Sequence, residues 1–178
     1  MTSCSRGCAL SGCDSRGLAS TVSAPRITRA GPEHADIVAR MAAALLAEMS
    51  GGVRAVGTGE LLSIAKARLE DRDSFFAFIA RDQVDHVLGV ITVAIGATIY
   101  ANGLVGTIQE LYVIPASRSA SIGASLLATV VDLGQKSGWN RLEVGAPSQA
   151  RWQRTIDFYK RNGFGEIGPR LQKRLTGE

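Results

Sequence analysis

Between residues 110 and 125 the chain reads ELYVIPASRSASIGAS, and few folds can accommodate that order. The apolar, partly β-branched opening favours a strand. Pro115 ends its ladder, having no N–H to donate and restricting the residue before it. Small residues lead to about Ser121, where Ile122, Leu126, Leu127, Val130 and Val131 begin a helical period against Ser125, Thr129, Asp132 and Lys136. A loop poor in side chains lets backbone N–H groups approach a ligand. The helix behind it adds unpaired N–H groups and the positive end of its dipole. Together these predict an anion site suited to phosphate or pyrophosphate. Arg118 adds a charge and a planar fork of donors, and Ser121, small and hydroxylic, is read as the N-cap.

The rest of the chain supplies a sheet around this stretch. Residues 25–30 read as a strand, and Gly31-Pro32-Glu33 opens a helix with proline in the first turn. Ile37, Met41, Ala44, Leu45 and Met49 mark its buried side, and Gly51-Gly52 ends it. Thr58 is expected to cap a second helix over 59–71, with Leu61, Leu62, Ala65, Arg68 and Leu69 half-buried. Strands follow at 75–80, 87–95, 98–100 and 104–113, with Asn102-Gly103 as a hairpin turn. After the helix at 121–138, residues 141–145 return as a parallel strand. A last helix at 150–162 carries Trp152, Ile156 and Tyr159, and strands at 164–167 and 171–175 are expected to finish the sheet. The order β-α-α-β-β-β-α-β-α-β describes an α/β (mixed α+β) fold. Its sheet is mostly antiparallel, with one parallel pair, flanked by helices.

Composition narrows the function. A length of 178 residues, 46% hydrophobic and 20% charged, suits one domain over 25–178. The net charge of +4 suits a small polyanion but falls short of a nucleic-acid-binding stripe. No apolar run reaches the roughly 18 residues of a membrane span. Cys4, Cys8 and Cys13 all precede residue 14, in a spacing that matches no common metal motif. Residues 1–24 lack any period and are expected to be a disordered leader or a misassigned start, and no metal is expected. The absence of later cysteines fits a reducing, cytoplasmic setting. The phosphate loop of the common nucleotide hydrolases is absent, Ser148 lacks a nucleophile elbow, and His34 and His86 read as solvated. Arg170 and Lys173 read equally well as a site rim or as a solvated strand end.

Arg118-Ser119-Ala120-Ser121-Ile122-Gly123-Ala124 resembles the acyl-CoA signature of the GNAT N-acetyltransferases, Arg/Gln-x-x-Gly-x-Gly/Ala after an apolar-Val-x-Pro strand end. Ser119 and Ser121 stand where close relatives carry glycine. Tyr159 lies in Phe158-Tyr159-Lys160-Arg161-Asn162-Gly163-Phe164, similar to the family's Tyr-x-x-x-Gly-Phe ending. The element order over residues 26–175 resembles the family's as well. The resemblance implies acetyl-CoA as cosubstrate, held by Leu111, Tyr112, Val113, Arg118, Ser119 and Ala120, then by Ser121, Ile122, Gly123, Ala124 and Ser125. It implies Glu110 as the base that takes a proton from an acceptor amine, and Tyr159 as donor to the leaving thiolate. Trp152 occupies the place of a family asparagine and inherits no role. The acceptor would be a small-molecule or peptide amine, and a homodimer is compatible with the family.

The residues themselves leave alternatives. In a regular strand Glu110 shares a face with Ile108, Tyr112 and Ile114, which is costly for a charge unless it is paired or its pKa is tuned. It could equally point to solvent or pair with an arginine. Tyr159 could be an ordinary half-buried core tyrosine. Arg54, the full charge in a glycine-rich loop, could bind a carboxylate on the acceptor or simply be solvated. The competing functions are an N-acetyltransferase, a non-catalytic CoA-binding regulatory module of the same fold and, last, a nucleic-acid binder.

Overall fold

A computed structural model describes residues 24–51, 57–118, 121–146, 150–168, 170–173 and 175. The leader lies outside these residues, as do Arg54, Ser119, Ala120 and Ser148. Strands β1 (Arg26–Arg29), β2 (Phe75–Arg81), β3 (Val87–Thr98), β4 (Gly103–Val113) and β5 (Arg141–Val144) form one sheet in sequence order. Pairing is antiparallel from β1 to β4, and β5 joins β4 in parallel. Helices α1 (Ala35–Met49) and α2 (Thr58–Glu70) cover one face, α3 (Ile122–Lys136) and α4 (Gln153–Arg161) the other. Alternation along β2 and β3 feeds both layers. Ile79 and Val90 pack toward α1 and α2, while Phe78 and Ile91 pack toward α3, all of them buried.

Local chemistry explains most boundaries. Proline opens a 3₁₀ turn, Pro32–His34, ahead of α1, and Gly51 follows that helix at φ +64°. The cap of α2 is Gly57 rather than Thr58. Asn102 takes the left-handed conformation at the hairpin, and its carbonyl accepts from the Asn140 side chain at 2.9 Å. Strand β3 runs through to Thr98 without the expected break after Ile95.

Two glycines set how α3 and β5 meet β4. A Cβ at Gly106 or Gly134 would come within 2.7 Å of the Trp139 ring. That ring fills the corner between β4, α3 and β5, which only bare backbone on both sides allows.

Three expectations need correction. No strand forms at residues 164–167, nor at 171–173 or 175, so among the described residues the sheet ends at β5. Gly163 and Gly168 take positive φ, and Ile167, Leu171 and Leu175 are exposed, so nothing draws this segment into a ladder. On α1, Ile37, Met41, Ala44 and Leu45 pack against the core as expected but only partly buried, Ala35, Val38 and Ala39 lie deepest, and Met49 is exposed, because the helix is rolled toward its small side chains. On α2, Leu62 and Arg68 are exposed.

Candidate active site

Glu110 is aimed by an irregularity. Thr92 pairs with Glu110 but Val93 pairs with Ile108, so Gln109 is an extra residue and β4 carries a β-bulge. Ile108 and Leu111 therefore pack on the α3 side, Tyr112 and Ile114 on the α1 side. The expectation that Ile108 shares a face with Glu110 fails for this reason. Glu110 and Gln109 both line a cavity of about 330 Å³ between the sheet and the first two helices.

Thr92 holds the carboxylate in place. It is the buried polar side chain among the described residues, and its hydroxyl accepts the Glu110 N–H at 3.1 Å while donating to Glu110 Oε2. Burial pushes the Glu110 carboxyl above its usual range, and the Thr92 bond opposes that only partly. A desolvated acid with one neutral hydrogen bond is held in surroundings that favour its protonated form. Thr92 is absent from the reading of the sequence, where a lone hydroxyl in the apolar run VITVAI was its one signal.

Tyr159 sits on the opposite face, only 7% exposed, edge-on between Phe158 and Phe164 at 5.2 and 5.3 Å. Its hydroxyl makes no hydrogen bond among the described residues, and burial pushes its pKa up to about 12. Phe158 beside it reaches the first turn of α3, where a Cβ on Gly123 would meet the ring at 3.4 Å. The tyrosine is thus carried against the junction of β4 and α3.

The two groups are separated by the sheet, and the sheet opens between them. Pairing of β5 with β4 stops at Ile108–Val144, whereas β4 continues to Val113. The Ile114 N–H donates back to Leu88 on β3 at 2.9 Å, so by alternation Leu111 and Val113 direct their backbone groups away from β3. A short unpaired edge therefore lies between Glu110 on one face and Tyr159 on the other.

At the end of that edge the loop enters α3. Ser121 is the N-cap residue there, as expected, but it stands at φ +59° and its hydroxyl makes no capping hydrogen bond. Its carbonyl instead accepts from the Ser125 N–H and hydroxyl at 3.0 and 3.2 Å. The preceding first-turn N–H groups, of Ile122, Gly123 and Ala124, are left without a side-chain cap. A left-handed serine costs about 1 kcal/mol that glycine would not. Ser121→Gly should therefore raise the melting temperature by about 2–4 °C, measured by calorimetry. An unchanged or lower midpoint would mean that this backbone is unstrained.

Arg118 is placed at the same corner, but its fork is shared out. Nε donates to the Val113 carbonyl at 2.9 Å and Nη2 to Glu48 of α1 at 2.6 Å. The guanidinium also lies 5.5 Å from the Tyr112 ring, whose hydroxyl donates to the same Glu48 oxygen at 3.3 Å. Glu48 was likewise missed, since nothing in the sequence relates residues 48 and 118. Arg151 donates to the Met49 carbonyl at 2.6 Å, so the end of α1 is tied to both halves of the site. His86 is exposed beside Asp82, and His34 accepts from the Gly31 N–H at 3.2 Å; neither approaches the slot. No group of three or more metal-ligating side chains occurs among the described residues.

Comparison with known proteins gives this arrangement a family. No curated protein matches the chain. Among solved structures, a possible acetyltransferase from Clostridium difficile 630 superposes with a TM-score of 0.74 at 17% identity, over 87% of this chain and 99% of its own. A protein of Arthrobacter sp. FB24, whose acetyltransferase assignment is itself provisional, reaches 0.66 at 26% identity, over 89% and 95%. An aminoglycoside acetyltransferase, meta-AAC0020, from an uncultured soil metagenomic sample in complex with sisomicin, reaches 0.66 at 14%, over 86% and 97%. At 17% and 14% identity the likeness speaks for the fold alone. A model of the acetyltransferase (GNAT) domain, however, matches residues 73–166, more than half of the chain, from β2 through the tyrosine of α4. The mixed sheet, its parting strands and the loop into α3 are thus those of a GNAT acetyltransferase, the family to which this chain belongs.

Proposed function

We propose that the enzyme transfers an acetyl group from acetyl-CoA to a primary amine by direct attack. The observation that carries the reading is the parting of β4 and β5, which puts an open backbone edge between Glu110 and Tyr159. The residues present fit the cosubstrate. Leu111 and Val113, with Tyr112 between them, offer the outward strand edge to the extended pantetheine arm, the Val113 carbonyl being the one group there already engaged, by Arg118. The first turn of α3, from Ser121 to Ser125, offers the uncapped N–H groups of Ile122, Gly123 and Ala124 to the pyrophosphate. The remaining Nη1 of Arg118 faces the same corner without a hydrogen bond among the described residues.

Acetyl-CoA supplies the acetyl group already activated as a thioester. An alkylamine, with a pKa of about 10.4, arrives protonated and must lose that proton before it can attack. Glu110 takes it, directly or through water, and Thr92 holds the carboxylate for the purpose. The amine nitrogen bonds to the thioester carbon, a backbone N–H near Val113 would meet the oxygen of the tetrahedral intermediate, and its collapse breaks the C–S bond. Tyr159 faces the departing sulfur. Full transfer from a phenol at about 12 to a thiolate of pKa about 8.5 would cost about 5 kcal/mol, so Tyr159 acts by donating a hydrogen bond. Among the described residues there is no cysteine to form an acyl-enzyme. The chain from residue 25 onward acts as one domain, in the cytoplasm; among the described residues no helix is long and apolar enough to cross a membrane.

A charge reversal tests the cosubstrate site. Aspartate tolerates positive φ, so Ser121→Asp should fold while setting a negative charge where phosphate is expected. At 100 times its dissociation constant acetyl-CoA should stabilise the wild type by about 2.7 kcal/mol, and the variant not at all. Unaltered binding by the variant would place the site elsewhere.

A further inference from the structure

The cavity beside Glu110 has a chemistry of its own. Its walls are apolar, with Val38 and Ala42 from α1, Leu61 and Ile64 from α2, and Phe75 and Ala94 from the sheet. Against this background stand one acid, Glu110, one amide, Gln109, and one cation, Arg68. The Arg68 guanidinium lies 5.3 Å from the Phe75 ring centroid and makes no ion pair or hydrogen bond among the described residues. Asp71, whose carboxylate feels the Arg68 charge, is held by the Ser74 N–H at 3.0 Å and by the Ser74 hydroxyl and makes no hydrogen bond to the guanidinium. A cation stacked on the cavity's aromatic wall, with its fork uncommitted, is a receptor for a carboxylate. A second ammonium group on an acceptor would meet the same charge unfavourably.

Resting on the transfer proposed above, we infer that the acceptor is a small amino carboxylic acid with an apolar body. Its amine meets Glu110, its hydrocarbon fills the cavity, and its carboxylate pairs with Arg68. The volume of about 330 Å³ is at the small end for ligand cavities, enough for a short aliphatic chain or a single ring. Polyamines and polyhydroxylated aminosugars fit poorly, since the walls offer their polar groups few partners. The transfer balances: the ammonium gives one proton to Glu110, the nitrogen forms its bond to the acetyl carbon as the C–S bond is lost, and the second proton that the nitrogen sheds ends on the departing CoA sulfur, through solvent.

The test compares CoA release with two matched pairs, hexylamine against 6-aminohexanoate and isopentylamine against leucine, with 1,6-diaminohexane as a fifth acceptor. The carboxylated member of at least one pair should exceed its partner in kcat/KM by roughly 10- to 100-fold, the worth of a charge-assisted bidentate contact. The diamine should be slowest. Arg68→Gln should erase the advantage by raising KM for the carboxylated amine, with the acetyl-CoA thermal shift retained, and Arg68→Lys should restore part of it. If hexylamine is acetylated but neither carboxylate helps, or if the diamine is fastest, the inference is overturned and the transfer reading stands. If none of the five releases CoA, both fall together.

Discussion

Replacing Tyr159 by phenylalanine should lower kcat by about 10²–10³-fold, the usual loss when one donor to developing negative charge is removed. Acetyl-CoA affinity should hardly change, because the hydroxyl contributes only once the sulfur begins to carry charge. The fold should not suffer either. Tyr159 is buried as a residue, its hydroxyl makes no hydrogen bond among the described residues, and a phenylalanine would keep both edge-on ring contacts. Losing a hydroxyl that has no protein partner breaks no hydrogen bond and leaves none unsatisfied. Slow turnover, intact cosubstrate binding and an unchanged or higher melting temperature together would identify a catalytic donor. Full activity would return Tyr159 to the core as an ordinary packing residue.

Glu110→Gln should cost about 10²–10⁴-fold in kcat/KM, the range for a positioned base. It should also flatten the rise of rate with pH. In the wild type that limb follows the Glu110 ionisation, which burial raises above 4.5, with the Thr92 bond as a weaker opposing influence. Stability should move the other way. Because the folded state prefers the protonated acid, the stability linked to Glu110 is fully present below the unfolded carboxylate pKa and is lost as pH rises through the folded one. The glutamine variant should therefore melt higher than the wild type at pH 7 to 8, with the gain vanishing near pH 4. Thr92→Val should push the kinetic pKa further up, since the bond that lowers it is gone. A glutamine variant that keeps both its rate and its pH profile would move the base elsewhere.

Much of this architecture was legible in the chain itself. Helices and strands are governed by short periods and by punctuation such as Pro115, Gly31-Pro32 and Asn102-Gly103. Accordingly α1 to α4 and β1 to β5 stand close to where those signals put them. Pro115 and the start of α3 were legible because proline and helical spacing are local signals. The family motif and the tyrosine before Gly163 needed no partner from elsewhere in the chain.

What tertiary structure decided is how these parts are aimed and what they meet. A β-bulge turns on one residue of register against a neighbouring strand, so the strand pattern around Glu110 could not place Ile108 and Glu110 on opposite faces. Thr92 and Glu110 touch across two strands, and Glu48 and Arg118 across the length of the fold. Such contacts leave no trace in local spacing. The missing final strands show the converse, since apolar alternation favours a strand only where a sheet edge comes forward to pair with it. The chain alone determined the fold and the chemistry available to it. Pairing register and the parting of β4 from β5 determined that an acid and a phenol lie on opposite faces of one sheet, near the strand end that β5 leaves unpaired.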